Sequence, residues 1–148
     1  VVGYHYGAQN HAELKSLLRK SLIITVLVSL VMTGASVTLA GPIADLFVGY
    51  DAALHDMTVN ALRIYSVSFL VFGFNIFGSA FFTALNNGTV SAAISFLRTL
   101  LFQVVSILTL PLIIGVDGIW LAVVAAEAMA LVCTGGFVVR GRKRYGYL

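Results

Sequence analysis

The chain has 148 residues, 59% of them hydrophobic and only 10% charged, with a formal net charge of +3. Soluble domains carry about 25% charged residues, so this composition, with a mean hydropathy of +0.99, excludes a soluble globule and calls for lipid over much of the surface. The cationic excess does not point to nucleic acid: Lys15, Arg19 and Lys20 precede the first long apolar run, and Arg140, Arg142, Lys143 and Arg144 follow the last. Those are the places where membrane topology is encoded, and no basic stripe is interleaved with base-stacking aromatics.

Residues 1–20 read as a cytoplasmic segment. They open Val1-Val2-Gly3, without Met and without a signal sequence, so further chain is expected upstream. Four runs then reach the roughly 20 apolar residues that a spanning helix needs. The first covers 21–40 and ends at Gly41-Pro42; a mixed, amphipathic stretch over 45–58 is expected to lie at the interface. The second covers 64–85 and ends at Asn86-Asn87-Gly88. The third covers 90–114 and ends at Gly115. The fourth covers 118–139 and runs into a basic cytoplasmic tail, 140–148. Gly, Pro and Asn are the helix stops in this reading. The fold class is therefore an all-α integral membrane protein with a four-helix membrane region over 21–139. The basic residues place both ends of the chain in the cytoplasm of a plasma (inner) membrane protein.

Placed at about 100° per residue, the polar side chains gather on one face of three spans. Thr25, Ser29, Thr33 and Ser36 do so in the first. Ser68, Asn75, Ser79, Thr83 and Asn86 do so in the second, opposite a stripe of Val67, Leu70, Phe74, Phe77, Phe81 and Leu85 that should face lipid. In the third, Ser91, Ser95, Arg98, Thr99, Gln103, Ser106 and Thr109 share one side. Small hydroxyl residues are explained by helix–helix packing. Asn75, Gln103 and Arg98 are larger and favour a cavity or a specific partner, and with Ser79 they form the candidate cavity face. Tyr65 has two readings, a ring face for a cationic substrate or an interfacial anchor.

Two charges fall inside spans, Arg98 and Glu127. A charge at depth costs a few kcal/mol and must be paired, solvated or neutralised. One reading pairs Arg98 with Glu127 across neighbouring helices; the other gives Glu127 a proton or cation to carry during transport. Pro111 either kinks the third span or marks its end. Cys133 stands alone, and His5, His11 and His55 lie outside the spans and apart from one another, so no metal site or cofactor is expected. No nucleophile–base set or phosphate loop supports an enzyme.

Gly3-Tyr4-His5-Tyr6-Gly7-Ala8-Gln9-Asn10, followed by Leu14-Lys15, resembles the "GYNYGA(G/K)N…(L/V)K" segment of the multidrug and toxic compound extrusion (MATE) family. Gly41-Pro42 with Leu46-Phe47, Ala84-Leu85-Asn86-Asn87-Gly88, Arg98 with Pro111, and Gly115-Val116-Asp117-Gly118-Ile119-Trp120 are similar to later stretches of that family's C-terminal lobe. The resemblance implies four helices from one six-helix lobe of a twelve-helix transporter. The partners would be the N-terminal lobe, the first two helices of this lobe, the lipid bilayer and small organic cation substrates. The implied activity is export of amphipathic organic cations, coupled to Na⁺ or H⁺ entry by alternating access. Several family members carry an acidic cation ligand in the seventh or tenth helix, yet 64–85, which corresponds to the tenth, holds no Asp or Glu. The alternatives are a lipid or polysaccharide flippase of the same superfamily, which would want a more cationic cavity, and a non-transporting membrane scaffold whose polar stripes only pack.

Overall fold

A computed structural model describes residues 1–147, and every regular element among them is helical. In chain order they are α1 (Val2–Gly7), α2 (His11–Val48), α3 (Ala52–Ser66), α4 (Phe69–Ala84), α5 (Gly88–Phe96), a π-helical turn (Leu97–Phe102), α6 (Gln103–Ile114) and α7 (Asp117–Tyr145). The helix starts are set by local chemistry. Asn10 accepts from the backbone N–H of Glu13, Asp51 from those of Ala53 and Leu54, and Asn87 from that of Val90, each satisfying donors that a first helical turn leaves free.

Three continuous helical stretches, α2, α5 through α6, and α7, are long and apolar enough to cross a bilayer. The fourth span is the pair α3 and α4, which bend by 44° where they meet. The four runs read from the sequence thus correspond to four spans, with different boundaries. The first does not stop at Gly41-Pro42: α2 continues through both to Val48. A proline inside a helix removes one backbone hydrogen bond, and inside a membrane protein neighbouring groups can absorb that loss. The amphipathic 45–58 stretch is accordingly not a separate interfacial element but the end of α2, a turn, and the start of α3. His55 Nε2 lies 3.1 Å from Asp45 Oδ1 across that turn. The second span, expected as one helix over 64–85, begins at Ala52 and breaks after Ser66. At the break the Tyr65 carbonyl accepts twice from Ser68, from its backbone N–H at 2.9 Å and from its hydroxyl at 2.7 Å, a local side-chain bond of the kind that accompanies helix bends.

The third span runs through Pro111 and ends at Gly115, whose φ of +76° is the left-handed region that glycine tolerates. The chain then folds back so tightly that a Cβ on Gly118 would stand 2.5 Å from the Leu110 carbonyl oxygen. The fourth span, expected to end at Val139, continues as helix through the basic residues to Tyr145. Arg142, Lys143 and Arg144 occupy its last turn, where cations suit the helix dipole.

The packed core lies at one end of the bundle. Leu14, Leu18, Phe81, Phe82, Leu85, Ile94, Tyr145 and Tyr147 form it. Tyr147 is fully buried, with its ring 5.0 Å from that of Phe81 in an edge-on arrangement. Phe81 and Leu85, expected on a lipid-facing stripe, are therefore core residues at 2% and 1% exposure, while Val67 and Leu70 of the same stripe remain exposed. The beginning of α2 and the end of α7 cover the lower half of that stripe. His11 Nδ1 lies 3.2 Å from the Tyr145 carbonyl, and the Asn87 side-chain amide donates to the Tyr145 hydroxyl at 2.7 Å. The two ends of the chain and the α4–α5 turn thus meet on one side, as four antiparallel spans require. Elsewhere the surface is apolar: Leu27, Val31, Leu108, Leu112 and Val132 are all more than half exposed, the inverse of a soluble surface and the expectation for helices solvated by lipid.

Candidate functional site

Buried polar groups converge where α4, the π-helical turn and α7 meet. Asn75 on α4 is 1% exposed and Glu127 on α7 is 5% exposed. The Asn75 side-chain amide donates to Glu127 Oε2 at 2.7 Å and to the Glu127 backbone carbonyl at 2.9 Å. The Thr134 hydroxyl donates to Asn75 Oδ1 at 3.0 Å. One carboxamide therefore has its donor nitrogen on two oxygens and its acceptor oxygen on a third group. This is the satisfaction a buried amide requires.

Arg98 completes the group from the other side. Its Nη1 stands 3.8 Å from Glu127 Oε1, an ion-pair distance rather than a hydrogen bond, and Nη1 has no hydrogen-bond partner. Its guanidinium lies 4.9 Å from the centre of the Phe72 ring, a position in which the ring's negative face attracts a cation. Arg98 also lines a cavity of about 250 Å³ with Asn75, Ile76, Ser79, Ala80, Ile94 and Ser95. Ser79 sits within 2.9 Å of the hydroxyls of both Ser91 and Ser95, and Thr83 within 2.7 Å of Ser91, so a hydroxyl ladder ties α4 to α5 and its members Ser79 and Ser95 line the cavity. Arg98 is carried on the π-helical turn. Such turns insert one extra residue into a helix and recur at functional sites.

Of the residues singled out in the sequence, Asn75, Ser79 and Arg98 share this cavity, and Glu127 lies behind it. Gln103 does not line it. A wheel drawn at a constant 100° per residue from 91 to 109 assumes an unbroken α-helix, and the π-helical turn adds a residue between Arg98 and Gln103, turning the later part of the span to another side. Tyr65 lies apart as well, half-exposed beside Phe69, and lines a separate apolar cavity of about 450 Å³ with Leu54, Met57, Ala61, Leu62 and Trp120. The sequence reading assigned Glu127 one partner, Arg98, and no polar face to the fourth span. Its nearest partner is Asn75, and Thr134, two helical turns on from Glu127, joins the same cluster. The signal was present, since residues seven apart share a helix face, but a lone threonine among small residues does not stand out.

The small residues of α7 make the approach possible. Ala122, Ala126 and Ala130 are buried on the face that carries Glu127 and Thr134. On α4, a Cβ at Gly78 would overlap the Thr134 methyl. Small residues let membrane helices come close enough for side chains to bond across them.

A four-span helical membrane bundle with a charged, hydrogen-bonded cluster at depth beside a polar cavity belongs to the class of polytopic membrane proteins, not to soluble helical bundles. The MatE family model matches residues 1–109, and the chain belongs to that family. The chain is also similar to a solved structure described as the outward-facing conformation of a multidrug resistance MATE family transporter of the MOP superfamily. The two are 25% identical with a TM-score of 0.84, over 97% of this chain and 32% of that one. The chain thus spans about a third of the length of that protein. No curated protein matches it.

Proposed function

We propose that this chain is part of the C-terminal lobe of a secondary active multidrug/cation efflux antiporter, exporting amphipathic organic cations in exchange for Na⁺ or H⁺. In this reading both ends of the chain lie in the cytoplasm at the plasma membrane. The observation that carries it is the Asn75–Glu127–Arg98 cluster: a buried carboxylate with one oxygen held by a neutral amide and the other only loosely met by a guanidinium. A structural ion pair would be expected to close into short hydrogen bonds. A carboxylate that must gain and lose a cation needs a partner that can let go. Asn75 is carried on the bent α3–α4 span and Arg98 on the π-helical turn, and broken helices at depth are how transporters build sites that change accessibility.

The test is ethidium efflux by the full-length transporter in a drug-sensitive host, comparing wild type, Glu127→Gln and Arg98→Ala, with and without Na⁺ and with a protonophore. Glu127→Gln should abolish efflux while leaving folded protein in the membrane, and the response to Na⁺ or protonophore names the ion. Normal efflux by Glu127→Gln, with only Arg98→Ala lowering folded protein, would make the pair structural and overturn the coupling role.

A second reading has one observation in its favour. Arg98 Nη1 is buried, makes no hydrogen bond and lies beside an open polar cavity, which suits a phosphate-bearing lipid or polysaccharide carrier and hence a flippase. Failure of wild type to move any cationic dye, with accelerated lipid scrambling in proteoliposomes, would select it. A packing-only scaffold gives no reason for either a buried guanidinium nitrogen without a hydrogen bond or the cavity.

A further inference from the structure

At the end of the bundle where the chain termini meet, α2 passes from basic to apolar within two turns. Lys15 and Arg19 stand four residues apart, on one helix face, and Leu18 and Leu22 form the next row. With Ile23 and Tyr147 these residues line a cavity of about 490 Å³. Its floor is apolar and its rim is cationic. Lys15 and Arg19 are exposed and form no ion pair among the described residues. Tyr147 is buried, and its hydroxyl donates to the Val138 carbonyl at 2.9 Å, so the ring is a fixed wall. From Ile23 onward α2 exposes Ile24, Val26, Leu27, Val28, Leu30 and Val31.

We propose that this groove binds an anionic phospholipid from the surrounding bilayer. The phosphate sits between Lys15 and Arg19, and an acyl chain runs over Leu18, Leu22 and Ile23 against the Tyr147 ring. The argument rests on position and charge complementarity. The two cations lie one turn above the start of the apolar surface, at the depth where headgroups end and chains begin. Basic pockets on the cytoplasmic side of membrane helices are built for such headgroups. Arginine adds a planar fork of donors that matches a phosphate. A soluble anion would use the rim and leave the apolar floor empty, whereas a zwitterionic lipid would use the floor and gain little from two unpaired cations. The groove does not touch the Asn75–Glu127 cluster, and the proposal stands or falls independently of what the protein transports.

The experiment is electron spin resonance of chain-labelled lipids with the full-length protein in mixed phosphatidylglycerol and phosphatidylcholine bilayers. Wild type should immobilise labelled phosphatidylglycerol in preference to labelled phosphatidylcholine. The double variant Lys15→Gln/Arg19→Gln should lose most of that preference, by about fivefold for each cation removed. A control that removes the same charge away from the groove, Lys20→Gln/Arg142→Gln, should keep it. Three results overturn the proposal. The first is no preference in wild type, a measurement that does not depend on any variant folding. The second is an unchanged preference in the groove variant. The third is an equal loss in groove variant and control, which would mean diffuse surface charge without a site.

Discussion

Asn75 holds Glu127 in place, and a double-mutant cycle measures by how much. Replacing Asn75 with Leu keeps the volume close and removes the amide that donates to Glu127 Oε2 at 2.7 Å and accepts from Thr134 at 3.0 Å. A hydrogen bond to a charged group contributes about 1.5–3 kcal/mol, and leaving a buried charged oxygen unmet costs at least as much. Against this, polar pairs between membrane helices average only about 0.6 kcal/mol and reach about 1.7, because the unfolded chain in the bilayer also finds partners. Glu127 is an acidic side chain only 5% exposed, so the upper part of the membrane range applies. The coupling between Asn75→Leu and Glu127→Leu, neither of which keeps a side-chain hydrogen-bonding group, should be about 1.2–1.7 kcal/mol, or about an 8- to 18-fold effect on the unfolding equilibrium. The assay is reversible unfolding in mixed micelles for wild type, both single variants and the double. Additivity within about 0.5 kcal/mol, the scatter seen for independent sites, would refute the claim that Asn75 and Glu127 act as one unit.

Three further outcomes follow from the packing. Gly78→Val should destabilise the protein by about 1–3 kcal/mol through overpacking against Thr134, read as a lower midpoint in the same unfolding assay, and Thr134→Ala should recover part of the loss. Asn87→Ala removes both the cap on the Val90 N–H and the bond to the Tyr145 hydroxyl, and should cost more than Tyr145→Phe, about 1–2 kcal/mol against about 1. Burial, with a smaller contribution from neighbouring Tyr145, pushes the Tyr147 phenol up from 10.0 to about 12. The folded protein therefore holds that proton longer than the unfolded chain does. The stabilisation is complete below pH 10 and lost as the pH rises from 10 towards 12. Tyr147→Phe should remove that component of the alkaline stability loss, and phenolate absorbance should show one late-titrating tyrosine in wild type.

Membrane insertion, the number of spans and their antiparallel order were legible in the sequence because they depend on quantities that add along the chain. Apolar run length, the break signals between runs, and the basic residues at the ends are all local. The same holds for the choice of Asn75, Ser79 and Arg98 as one face, since Asn75 and Ser79 are a turn apart on α4 and Arg98 is the one base within the spans. The boundaries were not legible. Pro42 reads as a stop in water, where a freed carbonyl and a broken helix cost little, but α2 runs through it. The 44° bend after Ser66 and the π-helical turn at Arg98 leave no mark in hydropathy, because both change backbone geometry without changing composition.

Tertiary structure alone decided who meets whom. A helical wheel gives the direction a side chain leaves its own axis and says nothing about the neighbour it faces. That is why Glu127 could be matched to Arg98 by opposite charge, while its closer partner, the neutral Asn75, could not. The same reason separates Tyr65 from the cavity and turns Phe81 and Leu85 from a lipid face into a core: each lies where the sequence put it on its helix, and the bend and contact of the helices set what surrounds it, whereas Gln103 was turned off its expected face by the π-helical backbone before it.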